Sequence, residues 1–230
     1  MNVGSLFSGI GGIELGLERA GHRTLWQVES DDFCRRVLAR HWPDVPRYGD
    51  VRSVDPRRLA RPEIVCGGFP CQDLSPVGRR AGLAGVKSGL WSEFARIVRH
   101  LRPDYVLVEN VPGLLVRGLD RVLGDLADVG YDAEWDCLPA RAFGAPHLRA
   151  RIWLLAYPRS GRHGLSEQTV FAGRGVPESC SRWPNEPALA RVADGIPAGV
   201  DARRAIGNAV VPAIAEWIGG RIVSYEEAKR

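Results

Sequence analysis

The sequence predicts an α/β fold built on a doubly wound, mostly parallel sheet. Short apolar runs alternate with segments of helical periodicity through the first two thirds of the chain, as βαβ units do. A glycine-rich turn, Gly9 to Gly12, separates the first apolar run from the first helical segment. Hydrophobic residues make up 45% and charged residues 25%, which is the composition of an ordinary globular protein. No apolar run approaches the roughly eighteen residues of a membrane span.

The predicted strands are short apolar runs, and the predicted helices are segments whose apolar residues recur at helical spacing. The strands, in order, are Val3–Phe7, Thr24–Glu29, Ile64–Gly67, Tyr105–Glu109, Glu134–Leu138 and Ile152–Ala156. The helices between them are Ile13–Ala20, Asp31–His41, Ser88–Leu101 and Leu119–Val129, and a last helix is Ala213–Val223. Ligands of such sheets bind at the carboxyl ends of the strands, so the residues just after each run are the candidates for function.

The periodicity stops between Tyr157 and Pro187, where glycine, proline, serine and arginine dominate. The formal net charge is +4, and the segment from position 141 to position 204 contains ten arginines and only five acidic residues. Such an excess is typical of a phosphate-contacting face, although a GC-rich genome also enriches arginine.

The five cysteines form no CxxC pair, which favours reduced thiols over disulfides or a structural metal site. The first residues carry no basic segment followed by an apolar one, so we expect no secretory signal and a cytoplasmic protein.

The glycine-rich turn predicts an adenosine-binding loop. Glu29 ends the next strand, about twenty residues after the first glycine, where an acid can hold both hydroxyls of a ribose. Glu14 stands where a dinucleotide fingerprint has its third glycine, which disfavours a nicotinamide cofactor. Asp50, near the end of the next unit, is placed to accept a hydrogen bond from an adenine amino group.

A thiol, an acid and two arginines follow later strands. Cys71 comes after Gly67, Gly68 and Pro70, and the two glycines are expected to clear space around its thiol, whereas Cys66 lies inside the apolar run and is expected to be core. Glu109 ends a strand, where a dry pocket would raise its pKa and make it an acid. Arg149 and Arg151 are expected to share one face of a strand that begins there and to anchor a phosphate or a carbonyl oxygen.

The motifs FSGIGG, GGFPCQDLSPVGRRAGL, ENV, GAPHLRARIW and GNAVVP follow one another across nearly the whole chain. In this combination and order the sequence resembles the C5-cytosine-specific DNA methyltransferases, particularly their compact, phage-type members. The resemblance implies the Rossmann-like sheet of S-adenosylmethionine-dependent methyltransferases, S-adenosylmethionine as the cofactor and double-stranded DNA as the partner. It further implies a monomer, and any cognate restriction endonuclease would be a separate protein.

The resemblance also implies residue roles. Cys71 would attack C6 of a flipped cytosine, Glu109 would contact N3 and the amino group, Arg151 would hold O2, and Arg149 would steady the catalytic loop or a phosphate. The implied cofactor site comprises Phe7, Gly9, Gly11, Gly12, Glu29, Asp50, Pro70, Asn208 and Val210. The implied DNA contacts, on a loop that closes over the base, are Gln72, Ser75, Arg79, Arg80 and Lys87.

The resemblance divides the chain into a catalytic and cofactor-binding domain (1–156), a reduced target-recognition region (157–187) and a C-terminal segment that returns to the catalytic domain (188–230). His147 and Ser30 depart from the family, which often has glutamine and sometimes an aromatic residue at these positions. The short recognition region keeps two alternatives open: an RNA-directed enzyme of the same fold and a catalytically inactive DNA-binding protein. A nicotinamide oxidoreductase is the third alternative, disfavoured by the glycine spacing.

Overall fold

A computed structural model of the chain describes residues 1–70, 89–159, 170–171 and 209–229. These residues contain a seven-stranded sheet with the strand order β3-β2-β1-β4-β5-β7-β6. The strands are β1 (Asn2–Leu6), β2 (Arg23–Val28), β3 (Arg47–Tyr48), β4 (Ile64–Gly67), β5 (Tyr105–Asn110), β6 (Tyr131–Pro139) and β7 (Ala150–Pro158). The helices in the described ranges are α1 (Gly12–Arg19), α2 (Asp32–His41), α3 (Leu90–Leu101), α4 (Leu114–Arg117), α5 (Leu119–Asp128) and α6 (Pro212–Ala228).

The sheet is parallel from β3 to β5, and β7 runs antiparallel to both of its neighbours. This confirms the predicted α/β class with a mostly parallel sheet. The predicted strands lie within three residues of the observed ones. The sequence missed β3, because two residues that pair only with Gln27 and Val28 are too short to show a periodicity.

Helices cover both faces of the sheet, and each face has its own apolar core. One core joins α3 and α5 to inward side chains of the central strands, such as Leu6, Val65 and Val106. The other core joins α1 and α6 to the opposite side chains, such as Ile64 and Leu107. This two-sided burial explains why β4 and β5 are apolar along their whole length and do not alternate.

The last helix, α6, packs closely against the first. A Cβ atom built on Gly16 of α1 would lie 2.3 Å from the carbonyl oxygen of Pro212, so only glycine permits this approach. The contact carries the chain before α6 back to the glycine loop, where a Cβ on Gly12 would lie 2.7 Å from the carbonyl oxygen of Val210. None of the helices in the described ranges is long and apolar enough to cross a membrane.

Candidate active site

A cavity of about 550 Å³ opens at the carboxyl edge of the sheet. It lies where the strand order reverses between β1 and β4, because α1 leaves β1 on one face and α3 leads to β5 on the other. Residues that end or follow β1 to β5 line it, joined by Arg149, Arg151, Ala209 and Val210. Chemistry-bearing side chains from distant parts of the sequence therefore meet at this edge.

The glycine loop forms one wall of the cavity. Gly9 has a φ of +55° and no atom within 4 Å of a Cβ built on it, so its backbone faces open space. Its N–H donates to Oε2 of Glu29 at 2.7 Å, and the Asp31 N–H donates to Oε1 of Glu29 at 2.8 Å. Each Glu29 oxygen retains a second lone pair, which is what two ribose hydroxyls require. The neighbouring Phe7 also lines the cavity.

Asp50 lines the cavity beside an arginine that the sequence reasoning missed. Its side chain caps the short helical turn Val51–Ser53 and pairs with the guanidinium of Arg52. Hydrogen bonds from Arg52 hold the pKa of the Asp50 carboxyl at about 2. The carboxylate is therefore a permanently charged acceptor at the cavity rim.

Other predicted cofactor residues divide between two places. Pro70 lines the 550 Å³ cavity, Gly11 lines a neighbouring cavity of about 460 Å³, and Gly12 and Val210 line both. Asn208 lies outside the described residues.

Glu109 and Arg151 meet because β7 is antiparallel to β5. Antiparallel pairing sets the start of β7 beside the end of β5, and Nε of Arg151 lies 3.2 Å from Oε1 of Glu109. Burial raises the pKa of Glu109 to about 7, against the opposing positive charges of Arg151 and Arg149. Near neutral pH this carboxyl group is therefore poised to donate a proton.

The expectation that Arg149 and Arg151 share one face of a strand is wrong. The strand begins at Ala150, and Arg149 precedes it with a φ of +24°. Both arginines nevertheless line the cavity, and burial lowers the pKa of the Arg149 guanidinium. The turn before β7, and not strand alternation, directs Arg149 toward the site.

Two further residues support this acid and the segment before Cys71. A Cβ on Gly68 would lie 2.9 Å from Oε2 of Glu109, so this glycine leaves room for the carboxylate, whereas the sequence reasoning had related it to the thiol. The Asn110 amide donates to the carbonyl oxygen of Phe69 at 3.2 Å and accepts the Val111 N–H at 2.9 Å. The signal available in the sequence was a second polar residue, directly after Glu109, at the end of an apolar strand.

The remaining predicted residues Cys71, Gln72, Ser75, Arg79, Arg80 and Lys87 lie outside the described residues. The backbone reaches Cys71 from Pro70, which lines the same cavity as Glu109. Cys66 is fully buried, as expected, and burial raises the pKa of its thiol well above the usual value. Its neutral thiol is therefore a poor nucleophile.

Comparison with known families matches residues 1–179 to the family described as C-5 cytosine-specific DNA methylase. The chain belongs to this family. The matched residues include the glycine loop, Glu109 and both arginines of the cavity.

Among curated relatives, type II methyltransferase M2.BsuMI of Bacillus subtilis is 38% identical over 164 residues, which are 68% of this chain and 42% of that protein. Type II methyltransferase M.MspI of Moraxella is 33% identical over 163 residues, 69% of this chain and 39% of that protein. The chain thus spans about two fifths of the length of these relatives.

The solved structures agree on the fold. A DNA modification methyltransferase encoded within an Escherichia coli prophage superimposes with a TM-score of 0.59 at 27% identity, covering 70% of this chain and 47% of that one. DNMT2 of Spodoptera frugiperda superimposes with a TM-score of 0.61 at 18% identity, covering 73% of this chain and 53% of that one, and shares the fold.

Proposed function

We propose that this chain transfers a methyl group from S-adenosylmethionine to C5 of cytosine in double-stranded DNA, through a covalent bond between Cys71 and a flipped-out base. The observation that carries the proposal is Glu109, a buried carboxyl group with a pKa of about 7 beside Arg151 in the glycine-loop cavity. A proton donor at neutral pH is the group that the activation of cytosine requires. Membership of the C-5 cytosine-specific DNA methylase family supports the same chemistry.

The cavity fits S-adenosylmethionine in size and in polar groups. Its volume of about 550 Å³ suits a nucleoside-sized ligand, and Gly9 leaves the loop backbone open to it. We assign the ribose to Glu29 and the adenine amino group to Asp50. The full set of proposed cofactor residues is Phe7, Gly9, Gly11, Gly12, Glu29, Asp50, Pro70, Asn208 and Val210. When bound, S-adenosylmethionine supplies a methyl group carried on a positively charged sulfur.

The protein's task is to make C5 of cytosine nucleophilic. The Cys71 thiolate forms an S–C6 bond while Glu109 gives its proton to N3, so that an electron pair becomes available at C5. Arg151 holds O2 of the ring, and Arg149 steadies the catalytic loop or a phosphate. Once C5 carries the methyl group, a base removes the C5 proton, the S–C6 bond breaks, and the N3 proton returns to Glu109. Thiolate and acid are both regenerated.

The base must leave the duplex first, at a cost of a few kcal/mol. We assign Gln72, Ser75, Arg79, Arg80 and Lys87 to the loop that closes on the DNA, and residues 157–187 to a reduced target-recognition region. Residues 1–156 and 188–230 then form the catalytic and cofactor-binding domain. We propose a monomer that acts in the cytoplasm. The type II names of the relatives support a partnership with a separate restriction endonuclease.

The test uses duplex DNA in which 5-fluorocytosine replaces cytosine, incubated with the chain and S-adenosylmethionine. The fluorine cannot be eliminated as a proton is, so the enzyme stays covalently attached and migrates as an adduct under denaturing conditions. We expect the adduct with the wild-type chain and with Cys137→Ser, whose thiol is free and half-buried, and none with Cys71→Ser.

Labelled methyl transfer to duplex DNA and to tRNA separates the two nucleic-acid substrates. Methylation of tRNA alone would assign the chain to RNA, and the absence of any adduct and any transfer would refute the proposal. Bisulfite sequencing of methylated DNA would then identify the recognised site.

A further inference from the structure

The glycine loop rests on an indole ring on the side away from the cofactor cavity. Trp42 directly follows α2, and a Cβ built on Gly11 would lie 2.4 Å from Cζ3 and 2.5 Å from Cη2 of this indole. Gly11 has a φ of +89°, the left-handed conformation from which α1 starts. The ring therefore occupies the space that any other side chain at Gly11 would need.

A hydrogen bond to Glu18 of α1, which β2 holds in turn, fixes the orientation of the ring. The indole Nε1–H donates to both carboxylate oxygens of Glu18, at 2.8 and 2.9 Å. Glu18 also accepts the hydroxyl of Thr24 at 2.6 Å. The backbone N–H of Trp42 donates to the Leu38 carbonyl at 2.8 Å. The indole is thus bonded to α1, its partner Glu18 is bonded to β2, and the backbone of Trp42 is bonded to α2. The ring therefore has little freedom to move away from Gly11.

Trp42 acts on the loop from behind and does not face the cofactor. Gly9 lines the 550 Å³ cavity, Gly11 and Trp42 line the 460 Å³ cavity beside it, and Ile10 and Gly12 line both. The loop backbone is the wall between the two. A rigid group on one side of this wall sets the shape that the other side presents to a ligand.

We propose that Trp42 is a positioning residue for the methyl donor: it holds Gly11 in its left-handed conformation and so shapes the loop that receives S-adenosylmethionine. This inference rests on the function proposed above. Glu18 and Thr24 serve it by holding the indole. Neither Trp42 nor Glu18 touches the donor cavity among the residues that the structure describes.

The first test measures the Kd for S-adenosylmethionine by calorimetry. Trp42→Ala should weaken binding about tenfold, the effect expected when one residue of the loop regains its backbone freedom. Trp42→Phe keeps an aromatic ring but loses the bond to Glu18, so its effect should be smaller. Trp135→Ala, which removes a half-exposed tryptophan from β6, is the matched control and should bind as the wild type does.

If Trp42 only stabilised the fold, its replacement would change the KM for S-adenosylmethionine and the KM for DNA together. We expect the KM for S-adenosylmethionine to rise in Trp42→Ala while the KM for DNA changes less than about twofold. Amide hydrogen exchange of residues 7–13 in the ligand-free chain should become faster in this variant, whereas exchange in β5 should not.

A double-mutant cycle tests the contact itself. Gly11→Ala should weaken donor binding strongly in the wild-type background, because its Cβ collides with the indole. It should weaken binding less in the Trp42→Ala background, where the strain of a left-handed alanine and the 3.1 Å approach to Cδ2 of Leu38 remain.

Wild-type Kd values in both Trp42 variants, or additive effects in the cycle, would overturn this inference alone. If Trp42→Ala does not fold, Trp42→Phe and Glu18→Gln decide by the same Kd measurement. A wild-type chain that binds no S-adenosylmethionine would overturn the proposed function together with this inference.

Discussion

Replacing Arg151 by methionine should raise the pKa of Glu109 and move the alkaline limb of the pH–rate profile to higher pH. Burial already raises this pKa to about 7, and the guanidinium of Arg151 is the stronger of the two positive charges that oppose the rise. Methionine keeps an apolar stem of similar length but carries no charge. The carboxyl group would therefore hold its proton to higher pH.

The size of the shift follows from the 3.2 Å between Nε of Arg151 and Oε1 of Glu109. Two unit charges at this distance interact by about 1.3 kcal/mol in a water-like medium and by about 5 kcal/mol at an effective dielectric constant of about 20. Since about 1.4 kcal/mol corresponds to one pKa unit, loss of Arg151 should raise the pKa by at least about one unit. The limb should move from near pH 7 to about pH 8 or above.

The assay is kcat/KM for DNA against pH at saturating S-adenosylmethionine, which reports the ionisation of groups in the DNA-free enzyme. Glu109 acts as the proton donor, so its ionisation sets the alkaline limb: activity is lost as pH rises through the pKa of this carboxyl group. Arg121→Met is the matched control, because Arg121 pairs with Asp125 at 3.5 Å on α5 and does not line the cavity. An alkaline limb that stays near pH 7 in Arg151→Met, or moves down, would refute the reasoning.

Three further predictions concern neighbouring and buried groups. Gly68→Ala sets a Cβ 2.9 Å from Oε2 of Glu109, so methyl transfer should fall about tenfold with little change in Tm; an unchanged rate would contradict the contact. Asn110→Ala removes the donor to the Phe69 carbonyl and should cost about 1–3 kcal/mol of unfolding free energy in urea, whereas a cost below about 0.5 kcal/mol would speak against this tether. Burial raises the pKa of Glu14 from 4.5 to about 6, so the folded chain binds the extra proton in this window and wild-type stability falls as pH rises through it. The free energy of unfolding of Glu14→Gln, minus that of the wild type, should therefore be about 2 kcal/mol larger at pH 8 than at pH 4. The same difference at both pH values would contradict the shift.

The features that were predicted correctly from the sequence are those that short segments of the chain specify. The β4 strand appears at the predicted residues Ile64–Gly67, since a fully apolar run of this length is specific for a buried strand. The adenosine loop was predicted from glycines and a distant Glu29, and the structure joins them by the bond from the Gly9 N–H. Sequence reasoning failed for Arg149, because alternation along a strand cannot reveal that the strand starts one residue later.

The fold class, the family and the carboxyl-edge location of Glu109 were determined by the sequence alone, because periodicity and motif order are properties of short segments. The tertiary structure decided the rest. Burial raises the pKa of Glu109, and Arg151, an antiparallel neighbour 42 positions away, opposes that rise. The support of Gly11 by Trp42 depends on the return of α2 to the loop. Burial and proximity arise only when distant segments pack together, so no local pattern in the sequence encodes them.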